Sequence, residues 1–389
     1  MEKKKILIAI NGGLPLPAVK GGAVETLIDY FIDENEIRDE FELYVFSEYA
    51  PEIEQITKNY KNAHFYYVHT ETISYKFKRL IRGFLKKVLR LKLYYSFSIE
   101  EVKAAQKIGI DFDEILIENN ANLIIPFSKA FQKKVYFHLH NDHLNSEIDN
   151  SNEMYNCCKK VLTVSEYIKN RVETLGKCNK VDVLFNGIDS SMFCYDALGR
   201  IEYRKKYGFQ DDNIVYVFSG RICEEKGVKE LIEAFIQVRK QNDKVKLLII
   251  GGSFYSSNNH TKYIDDLIAI SNKYQDDIIF TGYVAHCEMP KIYSCADIQV
   301  VPSIWDDPCP LTVLEGLAIG LKQIVTDSGG IPEEVSGTDA IVIKRNNLNI
   351  ELPKAMLQFI NKAKVNADFK YDLNNYLNNF FRIVGEKNE

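Results

Sequence analysis

The chain has 389 residues, and because single domains usually hold about 150 residues, two or three domains are expected. Hydrophobic residues make up 46% and charged residues 26% of the composition, which excludes an intrinsically disordered chain, since disorder requires low hydrophobicity and high net charge. The formal net charge of −5 also argues against polyanion binding by the chain as a whole, although a local basic patch is compatible with it.

The N-terminal segment has only a short apolar run, so we expect no signal peptide there. Lys3–Lys5 precede only five apolar residues, Ile6–Ile10, and a signal peptide needs a longer apolar stretch. Nowhere does an apolar run approach the roughly eighteen residues that a membrane-spanning helix requires. The eight cysteines include no C-x-x-C pair, which favours buried free thiols over disulfides or a zinc site. We therefore expect a cytoplasmic protein.

Short, continuous apolar runs recur along the chain, each followed by a turn or a longer helix-like stretch. Continuous rather than alternating runs are typical of strands buried on both faces of a parallel sheet. The runs lie at residues 6–10, 43–46, 65–68, 115–117, 135–139, 161–164, 181–185, 214–218, 245–250, 278–280, 298–301, 323–326 and 340–343. Their rhythm predicts an α/β protein with two doubly wound, Rossmann-like domains joined near residues 186–189.

The first predicted strand is followed by a glycine-rich loop, with Gly12 and Gly13 directly after it and Gly21 and Gly22 before the next apolar stretch. Glycines let the backbone approach a ligand closely, and a helix beginning near Gly22 would direct its N–H groups at an anion. Since the spacing is not G-x-G-x-x-G, an ordinary strand-to-helix turn is the alternative.

Between residues 73 and 99 the chain carries eight basic residues and no acidic one. At helical periodicity most of the cations share one face, and large apolar residues share the other. This pattern predicts an amphipathic helix that lies on an anionic membrane surface through residues 76–95. The alternative is a helix whose apolar face packs on its own domain. Nucleic acid is not expected as a partner, because no recognition motif accompanies the patch.

Another predicted strand ends in the pattern H-x-H-x-x-H, formed by His138, His140 and His143. Three histidines could bind a metal, yet no further ligands cluster with them in the sequence, so we predict no metal site. We expect His140 to hydrogen-bond a ligand instead, with a buried neutral histidine as the alternative.

The strand predicted at residues 214–218 leads into a loop with two cations. Arg221 directly follows Gly220, and Lys226 stands where the next helix is predicted to begin. Two fixed cations on one strand-to-helix loop form a clamp for a diphosphate. The alternative, solvated charge at a helix start, is disfavoured because cations oppose the helix dipole there.

Residues 305–316 place two carboxylates, Asp307 and Glu315, on either side of a turn into a helix. Carboxylates accept hydrogen bonds from sugar hydroxyls, so this loop predicts a polyol ligand. Acidic residues that only stabilise a helix N-terminus are the alternative.

In this order and spacing, the loops resemble the family 4 glycosyltransferases, which have the GT-B fold. The resemblance covers nearly the whole chain and rests on G-G-A-x-E-T-L (21–27), H-N-D (140–142), V-L-T-V-S-E (161–166), L-F-N-G-I-D-x-x-x-F (184–193), S-G-R-x-x-x-E-K-G-V (219–228), G-Y-V (282–284), the acidic pair at 307 and 315, and D-S-G-G-I-P-E (327–333). It implies two Rossmann-like domains facing each other across a cleft. The acceptor-side domain would hold residues 1–190, completed by a C-terminal helix at about 366–389, and the nucleotide-sugar domain residues 191–365.

The resemblance also implies roles for individual residues. Arg221 and Lys226 would bind the donor diphosphate, Glu315 the ribose, and His140 and Asp307 the donor sugar. The other implied donor contacts are Gly22, Gly220, Tyr283, Val284, Cys309, Leu311, Thr312 and Val313. Among these, Tyr283 and Val284 would flank the base, and the amides of residues 311–313 would face the β-phosphate. The family's chemistry retains the anomeric configuration and needs no metal or other cofactor.

Two features depart from the family's pattern. Asp307 stands where glutamate is usual, and Cys309-Pro310 replaces an aromatic residue and a glycine. Because proline has no N–H to donate, the pocket for the sugar hydroxyls is expected to differ.

The sequence thus predicts a retaining, metal-independent hexosyltransferase of polysaccharide or glycoconjugate biosynthesis. Its donor would be a nucleotide sugar, with UDP as the first choice, and its acceptor a lipid-linked or cell-surface glycan at the inner face of the cell membrane. Two alternatives in the same fold stay open, a nucleotide-sugar epimerase and a glucan synthase. A third is a catalytically silent, nucleotide-binding partner subunit of a transferase.

Overall fold

The computed structural model shows two compact α/β units. It describes residues 2–10, 12–88, 96–176, 178–252, 261–360 and 369–386. The N-terminal unit comprises Met1–Phe185 and Leu377–Glu389, and the C-terminal unit comprises Asn186–Tyr376. The chain therefore passes into the C-terminal unit at Asn186, the first residue of the N-G-I-D segment, and returns to the N-terminal unit at Leu377.

The N-terminal unit is built on a seven-stranded parallel sheet. Its strands are β1 (Lys4–Ala9), β2 (Phe41–Glu48), β3 (Ala63–Val68), β4 (Glu114–Glu118), β5 (Val135–Leu139), β6 (Cys158–Thr163) and β7 (Val181–Val183). Its helices are α1 (Ala23–Arg38), α2 (Ile53–Ile56), α3 (Ile73–Val88), α4 (Ser96–Ile108), α5 (Ala121–Phe131), α6 (Ser151–Cys157) and α7 (Glu166–Glu173). The strand order β3-β2-β1-β4-β5-β6-β7 reverses between β1 and β4, which is the topological switch point of a doubly wound sheet.

The C-terminal unit repeats this plan with six parallel strands. They are β8 (Ile214–Ser219), β9 (Val245–Ile250), β10 (Ile278–Gly282), β11 (Ile298–Val301), β12 (Lys322–Thr326) and β13 (Ile341–Ile343). The helices are α8 (Ala197–Lys206), α9 (Val228–Arg239), α10 (Lys262–Ser271), α11 (Met289–Ser294), α12 (Leu311–Ile319), α13 (Ile331–Glu334) and α14 (Leu348–Ile360). In the order β10-β9-β8-β11-β12-β13, the switch point lies between β8 and β11.

Both sheets follow from the continuous apolar runs. A strand lies at each of the thirteen predicted runs, so the prediction of two Rossmann-like α/β domains is confirmed. Strands covered by helices on both faces are buried at successive positions, and in β4 and β5 every residue is buried. Polar residues such as Glu118 and His138 are therefore buried with the strands that carry them, and need hydrogen-bond partners inside the protein.

The C-terminal helix, α15 (Leu373–Gly385), completes the N-terminal unit through aromatic packing. The ring centroids of Phe380 and Phe381 each lie 4.7 Å from that of Phe31 on α1. Phe380 has no exposed surface, so this end of the chain is part of the N-terminal core.

Helix α3 is unusual because its apolar face is exposed. The large apolar side chains at positions 73, 77, 80, 81, 84 and 88 are between 44% and 88% exposed. Tyr75 anchors the helix instead, in a small buried cluster with Val68 and Phe97. The structure therefore does not show the alternative arrangement, in which this face packs on its own domain. The second part of the predicted membrane segment, residues 89–95, lies outside the described residues.

All eight cysteines are free thiols, as expected, but only Cys158, Cys295 and Cys309 are buried, and Cys194 and Cys287 are exposed. In the part of the chain that the structure describes, no helix combines the length and the apolar character needed to cross a membrane.

Candidate active site

The C-terminal unit brings most of the predicted site residues to one edge of its sheet. In doubly wound sheets, ligands bind beyond the carboxyl ends of the strands at the switch point. Here β8 ends at Ser219 and leads into Gly220 and Arg221, while its neighbour β11 ends at Val301 and leads into the loop that carries Asp307. The two predicted loops thus start from adjacent strands.

Lys226 joins these two loops. It ends a short 3₁₀ turn, Glu224–Lys226, before α9, and its Nζ forms an ion pair with the Asp307 carboxylate. The side chains are only 17% and 8% exposed, so solvent screens the pair weakly. Arg221 is partly exposed, and its guanidinium has no hydrogen-bond or ion-pair partner among the described residues. Asp307 therefore holds Lys226 in place, whereas the guanidinium of Arg221 is available to a ligand.

The backbone of Asp307 is fixed by the D-S-G-G segment. Gly330 donates its N–H to the Asp307 carbonyl at 2.8 Å. Gly329 has a φ of +57°, and a Cβ at this position would collide with the Asp307 backbone, so only glycine allows this approach. The motif at residues 327–333 therefore positions the carboxylate that meets Lys226.

Cys309 is tied into the protein at two points. Its thiol donates to Glu334 Oε1 at 3.1 Å, and its carbonyl accepts from Asn186 Nδ2 at 3.3 Å. Burial raises the pKa of Glu334 well above its usual range, which favours the neutral carboxyl group beside the thiol. Cys309 thereby anchors the Asp307 loop, and a direct contact between Cys309 and the donor stays a prediction.

Helix α12 begins at Leu311, directly after Pro310. The amides of residues 311–313 were predicted to face the β-phosphate. The Val313 N–H instead donates to the Pro310 carbonyl at 2.9 Å within the first turn of the helix. Within the described residues, the amides of Leu311 and Thr312 have no protein acceptor. They are the two donors that the start of this helix offers to an anion.

Glu315 is buried on α12 and has two partners that the sequence did not suggest. Tyr293 donates its hydroxyl to Glu315 Oε2 at 3.0 Å, and His286 Nε2 lies 3.3 Å from Oε1. The hydrogen bond to Glu315 raises the pKa of His286 above its usual range. His286 follows Tyr283 and Val284, which come directly after β10, so the predicted base-binding residues belong to a loop that contacts the predicted ribose-binding residue.

In the N-terminal unit, His140 belongs to a buried cluster with Glu118 and His138. Glu118 Oε2 lies 3.0 Å from His138 Nδ1 and 3.2 Å from His140 Nε2, and the two ring nitrogens lie 3.2 Å apart. Asn119 adds a backbone restraint, because its Oδ1 accepts the His140 N–H at 3.1 Å.

The charges of this cluster determine where the protons lie. Burial opposes the ionisation of Glu118, but His138 and His140 lower its pKa to about 2. Burial lowers the pKa of His140 to about 4. At neutral pH an ionised carboxylate can only accept hydrogen bonds, so a hydrogen bond from neutral His140 to Glu118 requires the proton on Nε2. Its Nδ1 is then the atom that can accept a hydrogen bond from a ligand hydroxyl.

Among the described residues, one group of His, Cys, Asp or Glu side chains is compact enough to bind a metal ion. Its ligand atoms would be Glu118 Oε2, His138 Nδ1 and His140 Nε2. His143, the third histidine of the sequence pattern, is not part of it. The hydrogen-bond distances satisfy the carboxylate oxygen without a metal, and the absence of a metal site stays a prediction.

Gly22 precedes α1 with a φ of +115°, and a Cβ there would collide with the Glu25 carboxylate and with Leu14. Glycine is therefore needed for close packing at this turn. Burial raises the pKa of Glu25 to about 7. The contact of Gly22 with a phosphate stays a prediction.

Sequence reasoning missed Glu118, His286, Tyr293 and Asn186. For Glu118 a signal was present. The strand E-I-L-I-E has an apolar centre and ends in Glu118, and a carboxylate that is buried with such a strand requires polar partners. Tyr293 and His286 gave no such signal, since each reaches Glu315 from a different element and across more than twenty residues.

Residues 199–374 match the protein family described as "Glycosyl transferases group 1". A putative glycosyltransferase of Bacillus subtilis, YtcC, is 27% identical over 388 residues, which cover 93% of this chain and 86% of the relative. A lipopolysaccharide 1,2-N-acetylglucosaminetransferase of Salmonella typhimurium is 24% identical, with 97% of each chain covered.

Among solved structures, HepE of Anabaena, in complex with UDP and glucose, superposes with a TM-score of 0.74 at 16% sequence identity. The superposition covers 99% of this chain and 100% of the other. At this level of identity, the similarity shows a shared fold.

Proposed function

We propose that this chain is a retaining glycosyltransferase, because residues 199–374 match the group 1 glycosyl transferases and the chain has the GT-B fold. It transfers a hexose from a UDP-sugar to a lipid-linked or cell-surface glycan. The observation that carries the proposal is the Lys226–Asp307 ion pair. It places a cation suited to a diphosphate beside a carboxylate suited to a sugar, at the switch point where doubly wound sheets bind ligands.

The cations act on the leaving group. Arg221 and Lys226 bind the diphosphate, and the amides of Leu311 and Thr312 face the same anion. Negative charge on the diphosphate grows as the bond between the anomeric carbon and the phosphate oxygen breaks, so these groups stabilise the transition state more than the ground state. The acceptor oxygen bonds to the anomeric carbon on the same face, and its proton passes to the departing phosphate oxygen.

Donor recognition divides between two carboxylates. Asp307 accepts hydrogen bonds from hydroxyls of the sugar, and Glu315, oriented by Tyr293 and His286, accepts them from the ribose. Tyr283 is 42% exposed, which leaves its ring accessible to the base. In the N-terminal unit, His140 Nδ1 accepts a hydrogen bond from a sugar hydroxyl.

The relatives support the choice of donor and acceptor. The structurally similar HepE was solved with UDP and glucose, and the Salmonella relative carries the name of a lipopolysaccharide N-acetylglucosaminetransferase. A UDP-sugar and a glycan built on a lipid are therefore the first substrates to examine.

The acceptor side lies on the inner face of the cell membrane through α3. Leu80 and Phe84 are 71% and 64% exposed, on a helix that also carries Lys76, Lys78, Arg79, Arg82 and Lys87. Exposed apolar and basic side chains on one helix suit an anionic lipid surface, where the apolar groups insert and the cations meet lipid head groups.

The test is a screen of nucleotide sugars with and without membrane lipid extract, measuring nucleotide release and sugar transfer. Transfer should require both a donor and the extract. Arg221→Ala and Lys226→Ala should each lower turnover by about 100-fold or more. The control is Lys229→Ala, which changes an exposed lysine on α9 and should leave turnover unaltered.

Donor turnover without an acceptor would favour the epimerase alternative. Near-normal rates in both the Arg221 and the Lys226 variant would refute the proposed clamp. If no donor reacts with the unmodified protein and Asp307→Asn is neutral, the silent-subunit alternative is favoured.

A further inference from the structure

Beside α3, the N-terminal unit contains a cavity of about 310 Å³ that none of the predicted site residues lines. It lies between the carboxyl end of β3, the start of α3 and one face of α4. Its size is at the lower end of the range for small-ligand pockets. Because it adjoins the helix proposed to contact the membrane, its chemistry bears on what that surface recognises.

The lining of the cavity is basic. It includes Lys78 on α3 and, spaced so that they share one face of α4, Glu100, Lys103 and Lys107. The Glu100 carboxylate lies 3.4 Å from Lys78 Nζ and 3.7 Å from Lys103 Nζ, so two lysines share one anion. Lys107 has no ion-pair partner among the residues that the structure describes. Three lysines against one glutamate leave two positive charges in excess, in a chain with a net charge of −5.

A hydroxyl group accompanies these cations. Ser74 also lines the cavity and its side chain is exposed, whereas the Tyr67 hydroxyl donates to the Leu16 carbonyl at 3.3 Å. Ammonium and hydroxyl groups together suit phosphate, whose several oxygens each accept hydrogen bonds. A phosphate monoester carries about 1.5 to 2 negative charges at neutral pH, which matches the excess of positive charge in the lining.

We infer that this cavity binds the phosphate monoester head group of a membrane lipid. The inference rests on the proposed membrane contact of α3, because the cavity lies where that helix begins. The exposed face of α3 supplies adhesion to any anionic bilayer, and the cavity adds selectivity for lipids whose phosphate is terminal and doubly charged. A bilayer of diester lipids offers the same surface charge without a phosphate group that can enter the cavity.

The experiment compares binding of the full chain to phosphatidylcholine vesicles that contain phosphatidic acid or phosphatidylglycerol, adjusted to equal surface charge. The unmodified protein should prefer phosphatidic acid by about tenfold, the usual effect of a hydrogen bond to a charged group. Lys103→Gln with Lys107→Gln should abolish the preference. The matched control, Lys58→Gln with Lys134→Gln, changes two exposed lysines elsewhere on the same unit and should keep it. Ser74→Ala, which alters no charge, should reduce it.

The outcomes separate this inference from the proposed function. Equal binding to both vesicle types would overturn the inference and leave the membrane contact intact. Failure to bind any anionic vesicle would refute the membrane contact and the inference with it. In a further arm, soluble glycerol 1-phosphate should bind only weakly. If it binds the protein as tightly as phosphatidic acid vesicles do, the cavity serves a soluble phosphate compound, and the assignment to a lipid is wrong.

Discussion

Asp307 and Glu315 have different partners in the structure, and their substitution should separate sugar binding from nucleotide binding. Asp307→Asn removes the charge that meets Lys226 and the proposed acceptor for sugar hydroxyls. Turnover of the UDP-sugar should fall by about 10- to 100-fold, while UDP affinity is maintained, because Lys226 remains available to the diphosphate. Glu315→Gln should instead weaken UDP binding itself. Calorimetric titration with UDP, together with steady-state turnover, measures both effects.

A suitable control for this pair is Glu224→Gln, an exposed carboxylate on the 3₁₀ turn that carries Lys226. It should affect neither property. Equal losses of UDP affinity in the Asp307 and Glu315 variants would contradict the division of roles between the two carboxylates.

Glu118 acts through His140, so its substitution should change both stability and pH dependence. Glu118→Gln replaces an ionised acceptor by a neutral amide, and the folded state should lose about 2 kcal/mol at neutral pH. Because the pKa of Glu118 is lowered from its ordinary 4.5 to about 2 in the folded protein, this contribution is present above pH 4.5 and disappears as the pH falls toward 2. Urea unfolding of both proteins from pH 7 downward checks the effect.

A merely structural role of Glu118 would leave the His140 tautomer unchanged. Nitrogen chemical shifts of His140 report which ring nitrogen carries the proton, and in Glu118→Gln the fixed Nε2–H form should give way to a mixture. If the stability gap between the two proteins stays constant to low pH and the tautomer is unaltered, Glu118 does not position His140.

At the scale of elements, α3 offers a direct test of the membrane contact. Leu80→Asn with Phe84→Asn should weaken binding to anionic vesicles by about tenfold or more, since each apolar side chain inserted into lipid contributes favourable burial. The free energy of unfolding should hardly change, because both side chains are already exposed in the folded protein. Vesicle cosedimentation and urea unfolding measure the two quantities.

The matched control is Leu198→Asn with Ile201→Asn on α8, two apolar residues that are 78% and 67% exposed. These changes should leave vesicle binding unaltered. Binding should also weaken as salt rises, because salt screens the cations of α3. A loss of folding stability in the α3 variant with unchanged vesicle binding would mean that this face packs within the protein.

The elements differ in how far the sequence determines them. Continuous apolar runs specify strands buried on both faces, and each predicted run became a strand of a parallel sheet. The alternation of apolar and basic residues specified α3 as an amphipathic helix, but periodicity alone cannot say whether a neighbour covers the apolar face. That depends on the cluster of Tyr75, Val68 and Phe97, which joins two helices and a strand from separate parts of the chain.

At the scale of the whole molecule, the sites depend on strand order more than on local sequence. Lys226 and Asp307 meet although 81 residues separate them, because β8 and β11 are neighbours in the sheet. The family motifs identified both residues, yet the ion pair between them could not be read from spacing. Glu118 and His138 meet for the same reason, since β4 and β5 pair with these residues in register. Sequence reasoning thus found the loops, and the topology determined which side chains touch.

The activity of the whole protein should not depend on a metal ion. Arg221 and Lys226 supply fixed positive charge where a magnesium ion would otherwise stabilise the leaving diphosphate, so sugar transfer should persist in excess EDTA, with metal content verified by elemental analysis. Loss of transfer that Mg²⁺ or Mn²⁺ restores would show that the clamp is insufficient. Loss that Zn²⁺ restores would point elsewhere, because two imidazoles and one carboxylate favour zinc over magnesium. The Glu118–His138–His140 cluster would then be a metal site, and Glu118→Gln would reduce both the bound zinc and the activity that zinc restores.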